Sequence, residues 1–191
     1  MTKKIAIFAS GSGSNAENIF NYFKTNGDVS VSLILTNSPN TGVVERANRL
    51  DIPFVVFNKN SFQNTNEIVK LLQENEIDLV VLAGFLWLIP ENLIEAFPNK
   101  IINIHPALLP KYGGKGMFGD NVHKAVVENK ETETGITIHF VNQHYDEGKV
   151  IFQAKCEVLP TDTFDEVASK IHVLEYEHFP KVIADLLLTL S

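Results

Sequence analysis

Hydrophobic residues along the chain form short continuous runs, and the segments between the runs have a helical period. The runs Ile5–Ala9 and Leu79–Ala83 contain only apolar residues, which is typical of strands covered on both faces of a sheet. In the segment Asn15–Lys24 apolar residues instead recur at the spacing of one helix face. The pattern therefore predicts strands that alternate with helices.

Five strands are predicted in the first part of the chain and two more follow a glycine-rich loop. The strands are Ile5–Ala9, Val29–Leu35, Phe54–Phe57, Leu79–Ala83, Ile101–Ile104, Gly135–Val141 and Val150–Val158. The predicted helices with clear bounds are Asn15–Lys24, Val43–Leu50 and Asn121–Asn129, and a further helix lies before Ile101. Another begins with a capping box of Asn64 and Glu67 and ends near Asn75. A long final helix starts at Thr163, with Pro180 as a kink or break.

This order predicts an α/β fold of the Rossmann-like, doubly wound type. Right-handed crossovers place the first five strands in one mostly parallel sheet. The last two strands are joined by the polar loop Asn142–Lys149 and are expected to form an antiparallel hairpin at the sheet edge, with the long helix closing the chain. Repeats, low-complexity tracts and linkers are absent from the sequence, so we expect a single domain over residues 1–191.

Composition limits the class of partner. The 191 residues carry 16 Lys and Arg against 23 Asp and Glu, a net charge of −7, which argues against a nucleic-acid binder but leaves room for a small anionic ligand in a local pocket. The longest apolar stretch, Leu79–Pro90, falls short of the roughly 18 residues that a membrane span needs. We expect no nucleic-acid or membrane partner and a cytoplasmic location.

A glycine-rich loop, Ser10–Asn15, follows the first strand. Glycines allow a tight turn with exposed N–H groups, and the start of the next helix adds partial positive charge, so the loop can hold an anion. It lacks the lysine of a Walker loop and the third glycine of a dinucleotide loop. A single phosphate ester is therefore favoured over a nucleotide cofactor, with a purely structural turn as the alternative.

Asn103 and His105 lie at the end of the fifth predicted strand and point to the same side of it. An amide can stabilise an oxyanion, and an imidazole can transfer a proton near neutral pH. A carboxylate in the hairpin loop, Asp146, could orient that imidazole if the loop folds over the strand end. His139 is either a supporting group or a packed structural histidine. The other histidines receive no role, and no metal-binding spacing is present.

With these three features in this order, the sequence resembles the phosphoribosylglycinamide formyltransferases, a family of folate-dependent formyltransferases. The matching segments are IAIFASGSGSN, VVLAGF at 80–85, NIHPALLPKYGG at 103–114, GITIHFV at 135–141 and YDEG at 145–148. The resemblance implies the formyltransferase fold, formyl transfer from 10-formyltetrahydrofolate to the amino group of glycinamide ribonucleotide, and small-molecule partners only. It implies neither a metal nor an oligomeric state.

The resemblance also implies a role for each matching residue. Asn103, His105 and Asp146 would be the catalytic trio. The ribonucleotide would be held by Gly13, Ser14, Asn15, Gly84, Pro106 and Glu175, with the phosphate on the first three. The folate would be held by Leu86, Trp87, Leu88, Ile89, Asn103 and the backbone of Val141, Asn142, Gln143, His144, Tyr145 and Asp146.

Three positions depart from the family pattern, and two other functions stay open. Ala107 stands where many relatives have serine, and Trp87 stands where an arginine is common. The loop Gly114–Gly119 stands where many relatives carry a PGLHTH-like stretch. The alternatives are a related enzyme that formylates another amine or hydrolyses formyl-folate, and a non-catalytic phosphate-binding module. A pure binding module would have no reason to assemble Asn103, His105 and Asp146.

Overall fold

The computed structural model describes residues 2–25 and 27–189, and these residues form one seven-stranded sheet with helices on both faces. The strands are β1 Lys3–Phe8, β2 Val29–Thr36, β3 Phe54–Val56, β4 Leu79–Leu82, β5 Ile101–His105, β6 Glu133–Phe140 and β7 Val150–Glu157. The helices are α1 Ser14–Phe23, α2 Gly42–Leu50, α3 Lys59–Gln63, α4 Glu67–Glu74, α5 Glu91–Ala96, α6 Asp120–Glu128 and α7 Phe164–Thr189.

The strand order is β3-β2-β1-β4-β5-β6-β7. Strands β1 to β5 pair in parallel, whereas β5 with β6 and β6 with β7 pair antiparallel. The prediction of a doubly wound, mostly parallel sheet with a C-terminal hairpin at its edge and a long closing helix is confirmed. The direction of winding reverses between β1 and β4, and a crevice opens at such a switch point, at the carboxyl ends of the strands.

Alternate residues of each central strand supply two separate cores. Ile5 and Ile7 pack with α1, α2, α6 and α7 on one face of the sheet. Ala6 and Phe8 pack with α3, α4 and α5 on the other face. All four residues are fully buried, which explains why the strand is continuously apolar rather than alternating.

The capping box predicted at Asn64 and Glu67 is wrong. Residues 59–63 form the additional short helix α3, and Asn64 ends it, with its amide bonded to Asn60 Oδ1 at 3.1 Å. Helix α4 starts at Glu67, whose N–H donates to Thr65 Oγ1 at 3.2 Å. Several polar side chains next to one another can cap a helix, and the sequence did not indicate which of them does so here.

The sequence predicts a kink or a break at Pro180. Helix α7 runs through Pro180 without ending, so a break is wrong. Proline has no N–H to donate to the carbonyl four residues earlier, which here is that of Tyr176. That carbonyl instead accepts a 3.0 Å hydrogen bond from the Asn18 amide of α1. The neighbouring helix thus satisfies the group that Pro180 leaves unpaired. Within the described part of the chain, no helix is both long and apolar enough to cross a membrane.

Candidate active site

A cavity of about 780 Å³ lies at the carboxyl ends of β1, β4 and β5. The loops after β1 and β4 are tied together there, because Ser10 N–H donates to the Gly84 carbonyl at 3.0 Å and Leu86 N–H donates to Ser10 Oγ at 3.1 Å. The predicted site residues on its wall are Gly13, Ser14, Asn15, Gly84, Leu86, Trp87, Leu88, Ile89, Asn103, His105, Pro106, Val141, Asn142, His144, Tyr145, Asp146 and Glu175. Gln143 is not on the wall, and its exposed amide bonds Glu91.

Gly13 caps the start of α1 from the left-handed region of backbone conformation, with φ at +75°. A Cβ atom at this position would lie 2.6 Å from the Val43 side chain, so both conformation and space require glycine. Ser14 begins the helix, and the N–H groups of its first turn have no partner within the helix. This end of the cavity therefore has the geometry of an anion site.

The amide of Asn15 joins the glycine-rich loop to the final helix. Its Nδ2 donates to Glu175 Oε2 at 2.9 Å, and the same carboxylate oxygen lies 2.9 Å from His172 Nδ1. Glu175 is only 6% exposed. Its hydrogen bond raises the pKa of His172, although burial partly opposes the shift. These three side chains form a connected polar wall beside the loop.

The antiparallel pairing of β5 with β6 places Asn103 directly opposite His139. Asn103 Nδ2 and His139 Nε2 are 3.1 Å apart, and His139 Nδ1 lies 2.8 Å from the Phe140 carbonyl oxygen. A carbonyl accepts only, so Nδ1 carries the proton and Nε2 accepts from the Asn103 amide. His139 therefore orients Asn103, and the second N–H of that amide stays available to the cavity.

His105 is 3% exposed and lies between two oxygen acceptors. Its Nε2 is 2.7 Å from the Tyr112 carbonyl oxygen, and its Nδ1 is 3.5 Å from Asp146 Oδ1. Burial lowers the pKa of the imidazole, whereas the Asp146 charge and the Tyr112 hydrogen bond act in the opposite direction. The net shift is downward, so the ring is neutral near pH 7, while two acceptors stand ready to stabilise its protonated form.

Asp146 is held in the hairpin loop by its own backbone geometry and by Gly114. Its φ is +58°, and Gly114 N–H donates to its Oδ2 at 2.9 Å. Burial alone would raise the pKa of this carboxyl, but its electrostatic interactions with the two histidines and the hydrogen bond from Gly114 outweigh burial and lower the pKa. Asp146 is therefore ionised between the two imidazoles. Among residues 2–25 and 27–189, no group of three His, Cys, Asp or Glu residues has the arrangement of a metal site.

Sequence reasoning missed two histidines of the cavity wall, His123 and His172. His123 is 3% exposed, and its buried Nδ1 has no hydrogen-bond partner among the described residues. Burial lowers its pKa, with nearby His172 acting in the same direction. In the sequence, His123 lies on the same helix as the buried Val122 and Val126. A polar residue next to that apolar pattern was the available signal.

The opposite end of the cavity has an aromatic wall. Trp87 is half-buried, and its ring centroid lies 5.9 Å from that of Phe57 and 5.8 Å from that of Phe62. Phe85 joins the same group, 6.3 Å from Trp87. Trp87 both packs on this cluster and contributes to the cavity surface. An apolar, flat surface of this kind suits a planar ring of a ligand.

A helix start with the geometry of an anion site, an Asn–His–Asp cluster and an aromatic wall thus surround one cavity of this α/β fold. Residues 3–183 match the model of the family described as formyl transferase. The chain belongs to the formyl transferase family.

Individual relatives and solved structures agree with this family. The chain is 42% identical over 189 residues to the chloroplastic phosphoribosylglycinamide formyltransferase of Arabidopsis thaliana, covering 95% of this chain but only 64% of that protein's length. It is 38% identical to the Bacillus subtilis phosphoribosylglycinamide formyltransferase, covering 97% of this chain and 95% of that one. A crystal structure of glycinamide ribonucleotide transformylase 1 from Geobacillus kaustophilus superposes with a TM-score of 0.89 at 34% identity, covering 98% of this chain and 100% of that one.

Proposed function

We propose that the chain transfers the formyl group of 10-formyltetrahydrofolate to the amino group of glycinamide ribonucleotide. The observation that carries the proposal is the convergence of Asn103, His105 and Asp146 in the same cavity as the glycine-rich loop. The names of the relatives support the same activity. Both ligands are small molecules, and a cytoplasmic location stays a prediction from the sequence.

In this proposal the ribonucleotide occupies the end of the cavity near α1 and α7. The backbone N–H groups at Gly13, Ser14 and Asn15, together with the Ser14 hydroxyl and the Asn15 amide, would bind its phosphate. Gly84, Pro106 and Glu175 would line the rest of the ribonucleotide site, with a carboxylate suited to accept hydrogen bonds from ribose hydroxyls. His123 belongs to this end as well, because it interacts electrostatically with Glu175 and His172. Its buried Nδ1 has no hydrogen-bond partner among the described residues, and a ligand could supply one.

The folate occupies the other end. Segment 86–89 and the backbone of residues 141–146 would surround the pterin ring, whose edge needs several hydrogen-bond partners while its faces need apolar contact. The observation in favour is that these two segments form adjoining walls of one cavity, with Trp87 on the apolar side. Gln143 contributes at most its backbone, because its side chain bonds Glu91 outside the wall.

The proposed reaction needs no covalent enzyme intermediate. The substrate amine attacks the formyl carbon, the carbonyl oxygen gains negative charge, and the bond from that carbon to folate N10 then breaks. N10 receives the proton that the amine has lost to Asp146, so the transfer balances without a further proton source. The free N–H of Asn103 stabilises the oxyanion. Asp146 favours the imidazolium form of His105 as charge develops, and it accepts the amine proton through water.

His105 needs a small rearrangement to act on the substrate. In the ligand-free geometry its Nε2 faces the Tyr112 carbonyl at 2.7 Å. The substrate oxygen must replace that carbonyl, and the 3.5 Å separation from Asp146 must shorten. Catalytic hydrogen bonds that are long or misdirected before ligands bind are common, so this geometry is compatible with the proposed role.

An absorbance assay for tetrahydrofolate formation tests the proposal against its alternatives. Three samples contain formyl-folate and enzyme with glycinamide ribonucleotide, with a different phosphorylated amine, or with no acceptor. Formation that requires glycinamide ribonucleotide supports the proposal. Equal rates without acceptor would identify a hydrolase, a preference for the other amine would identify a related transferase, and no turnover in any sample would favour a binding module.

A further inference from the structure

Helix α2 packs end-on against the glycine-rich loop. Val43 N–H donates to the Gly11 carbonyl at 3.1 Å, and a Cβ atom on Gly42 would lie 2.8 Å from the Ser12 carbonyl oxygen. One turn further along α2, Arg46 Nε donates to that same Ser12 carbonyl at 2.9 Å. A guanidinium that is not part of the cavity wall thus binds the backbone of the loop.

Arg46 is itself held by an acidic side chain of α1. Its guanidinium forms an ion pair with Glu17, in the first turn of that helix. Arg49 binds the other carboxylate oxygen of Glu17 at 2.7 Å. The two arginines therefore share one carboxylate, but within the described residues Arg46 alone donates to the loop backbone. Arg46 is also the less exposed, at 32% of its side chain against 58% for Arg49.

The contact of Arg46 with the Ser12 carbonyl affects how strongly the next N–H of the loop can donate a hydrogen bond. The Ser12 carbonyl and the Gly13 N–H belong to the same planar peptide unit. A cationic donor at the carbonyl oxygen polarises that unit and makes its N–H a stronger donor. The same bond fixes the direction in which the N–H points, so less ordering is needed when an anion binds.

We propose that Arg46 is a positioning residue for the phosphate end of the cavity, acting through the Ser12–Gly13 peptide rather than by touching the ligand. This inference rests on the proposed function, which assigns a phosphate ester to the loop. It also accounts for how a loop without lysine, on a chain of net charge −7, binds an anion.

The test compares Arg46→Met with the matched control Arg49→Met, because both variants remove one partner of Glu17. For Arg46→Met we expect the KM for glycinamide ribonucleotide to rise about fivefold or more, as for loss of a charge-assisted hydrogen bond. We expect kcat and the KM for formyl-folate to stay within about twofold. Arg49→Met should leave all three constants within about twofold. Equal effects of the two variants, or an equal rise of both KM values in Arg46→Met, would overturn the inference.

Calorimetric titration with ribose 5-phosphate separates this inference from the proposed function. Tighter binding by the wild type than by Arg46→Met supports the inference without any transfer reaction. Binding of equal strength by both overturns the inference and leaves the proposed function in place. A wild type that neither binds ribose 5-phosphate nor transfers formyl overturns both. If Arg46→Met does not fold, Arg46→Gln takes its place, because it removes the charge with a smaller change of polarity. An unchanged affinity for ribose 5-phosphate in Arg46→Gln then overturns the inference.

Discussion

Asn15 donates a 2.9 Å hydrogen bond to Glu175, 160 positions away in the sequence. The bond joins the first turn of α1 to the middle of α7, so it links the glycine-rich loop to the wall of the cavity that α7 forms. The Asn15 side chain therefore has a second task besides the phosphate contact proposed for it. Among residues 2–25 and 27–189, the Ser14 hydroxyl has a single hydrogen-bond partner, the Ser12 hydroxyl, at 3.4 Å.

The first prediction separates these two neighbours. Ser14→Ala should raise the KM for glycinamide ribonucleotide modestly and leave folate binding unchanged. Asn15→Ala should raise the same KM more, by about tenfold, because it also leaves the buried Glu175 carboxylate without one donor. Steady-state kinetics with each substrate varied in turn measures both constants. An equal loss of affinity for folate in either variant would mean that the loop has only a structural role.

The second prediction uses two glycines of the same loop. Gly13→Ala must adopt φ near +75° and meets Val43 at 2.6 Å, whereas a Cβ on Gly11 meets nothing within 4 Å. We expect Gly13→Ala to lose about 1–3 kcal/mol of unfolding free energy and most ribonucleotide affinity. Gly11→Ala should be close to wild type in both. Thermal melting and substrate titration check this, and equal behaviour of the two variants would contradict the assigned loop geometry.

Sequence periodicity predicted most of the scaffold because each central strand is buried on both faces. The apolar runs that give β1 and β4 are the direct result of that burial, so their position at the centre of the sheet could be recognised. Local patterns were less informative where neighbouring polar residues compete, as around Asn64, or where a distant group compensates a local defect. Pro180 is the clearest case, since only the folded chain brings Asn18 to the Tyr176 carbonyl.

The candidate site was predictable to the extent that its residues share one strand. Asn103 and His105 are two residues apart on β5, so the strand period alone places both side chains on the same side of the strand. In the structure both lie on the cavity wall with Asp146. The position of His139 depends on strand register, which the sequence leaves open, and the pairing with Asn103 follows from it. His123 and His172 approach the cavity from two helices, and no local spacing relates them to β5.

The third prediction concerns Trp87, the only tryptophan in the chain. Because it lines the cavity and also packs on Phe57 and Phe62, Trp87→Leu should weaken binding of a folate analogue and lower the unfolding free energy by about 1–3 kcal/mol. In the wild type, the analogue should quench tryptophan emission. Unchanged emission, after correction for absorption by the analogue, would contradict the proposed folate end.

The fourth prediction is a pair of opposite pH effects on stability. Burial lowers the pKa of His123, so below about pH 6.5 the unfolded chain binds a proton that the folded chain resists, and folding loses stability as the pH falls. Hydrogen bonding to Glu175 raises the pKa of His172, so this residue stabilises the folded chain below about pH 6.5 and loses that effect as the pH rises.

Melting temperatures at pH 5.5 and pH 8 measure the two contributions. The loss of stability on acidification should be smaller in His123→Gln than in the wild type and larger in His172→Gln. His105, whose pKa is also lowered mainly by burial, contributes the same acid sensitivity to all three proteins and cancels in the comparison. A change of the same sign in both variants would contradict the assigned environments.

The central claim is that His105, between Asn103 and Asp146, carries out formyl transfer in this cavity. The most direct test is the rate of tetrahydrofolate formation that depends on glycinamide ribonucleotide, measured for the wild type and for His105→Ala at saturating substrates. Circular dichroism and the melting temperature establish that the variant is folded. We predict that kcat falls by about 100-fold or more, the usual effect of removing a positioned acid–base group. Near-normal turnover in folded His105→Ala would contradict the account.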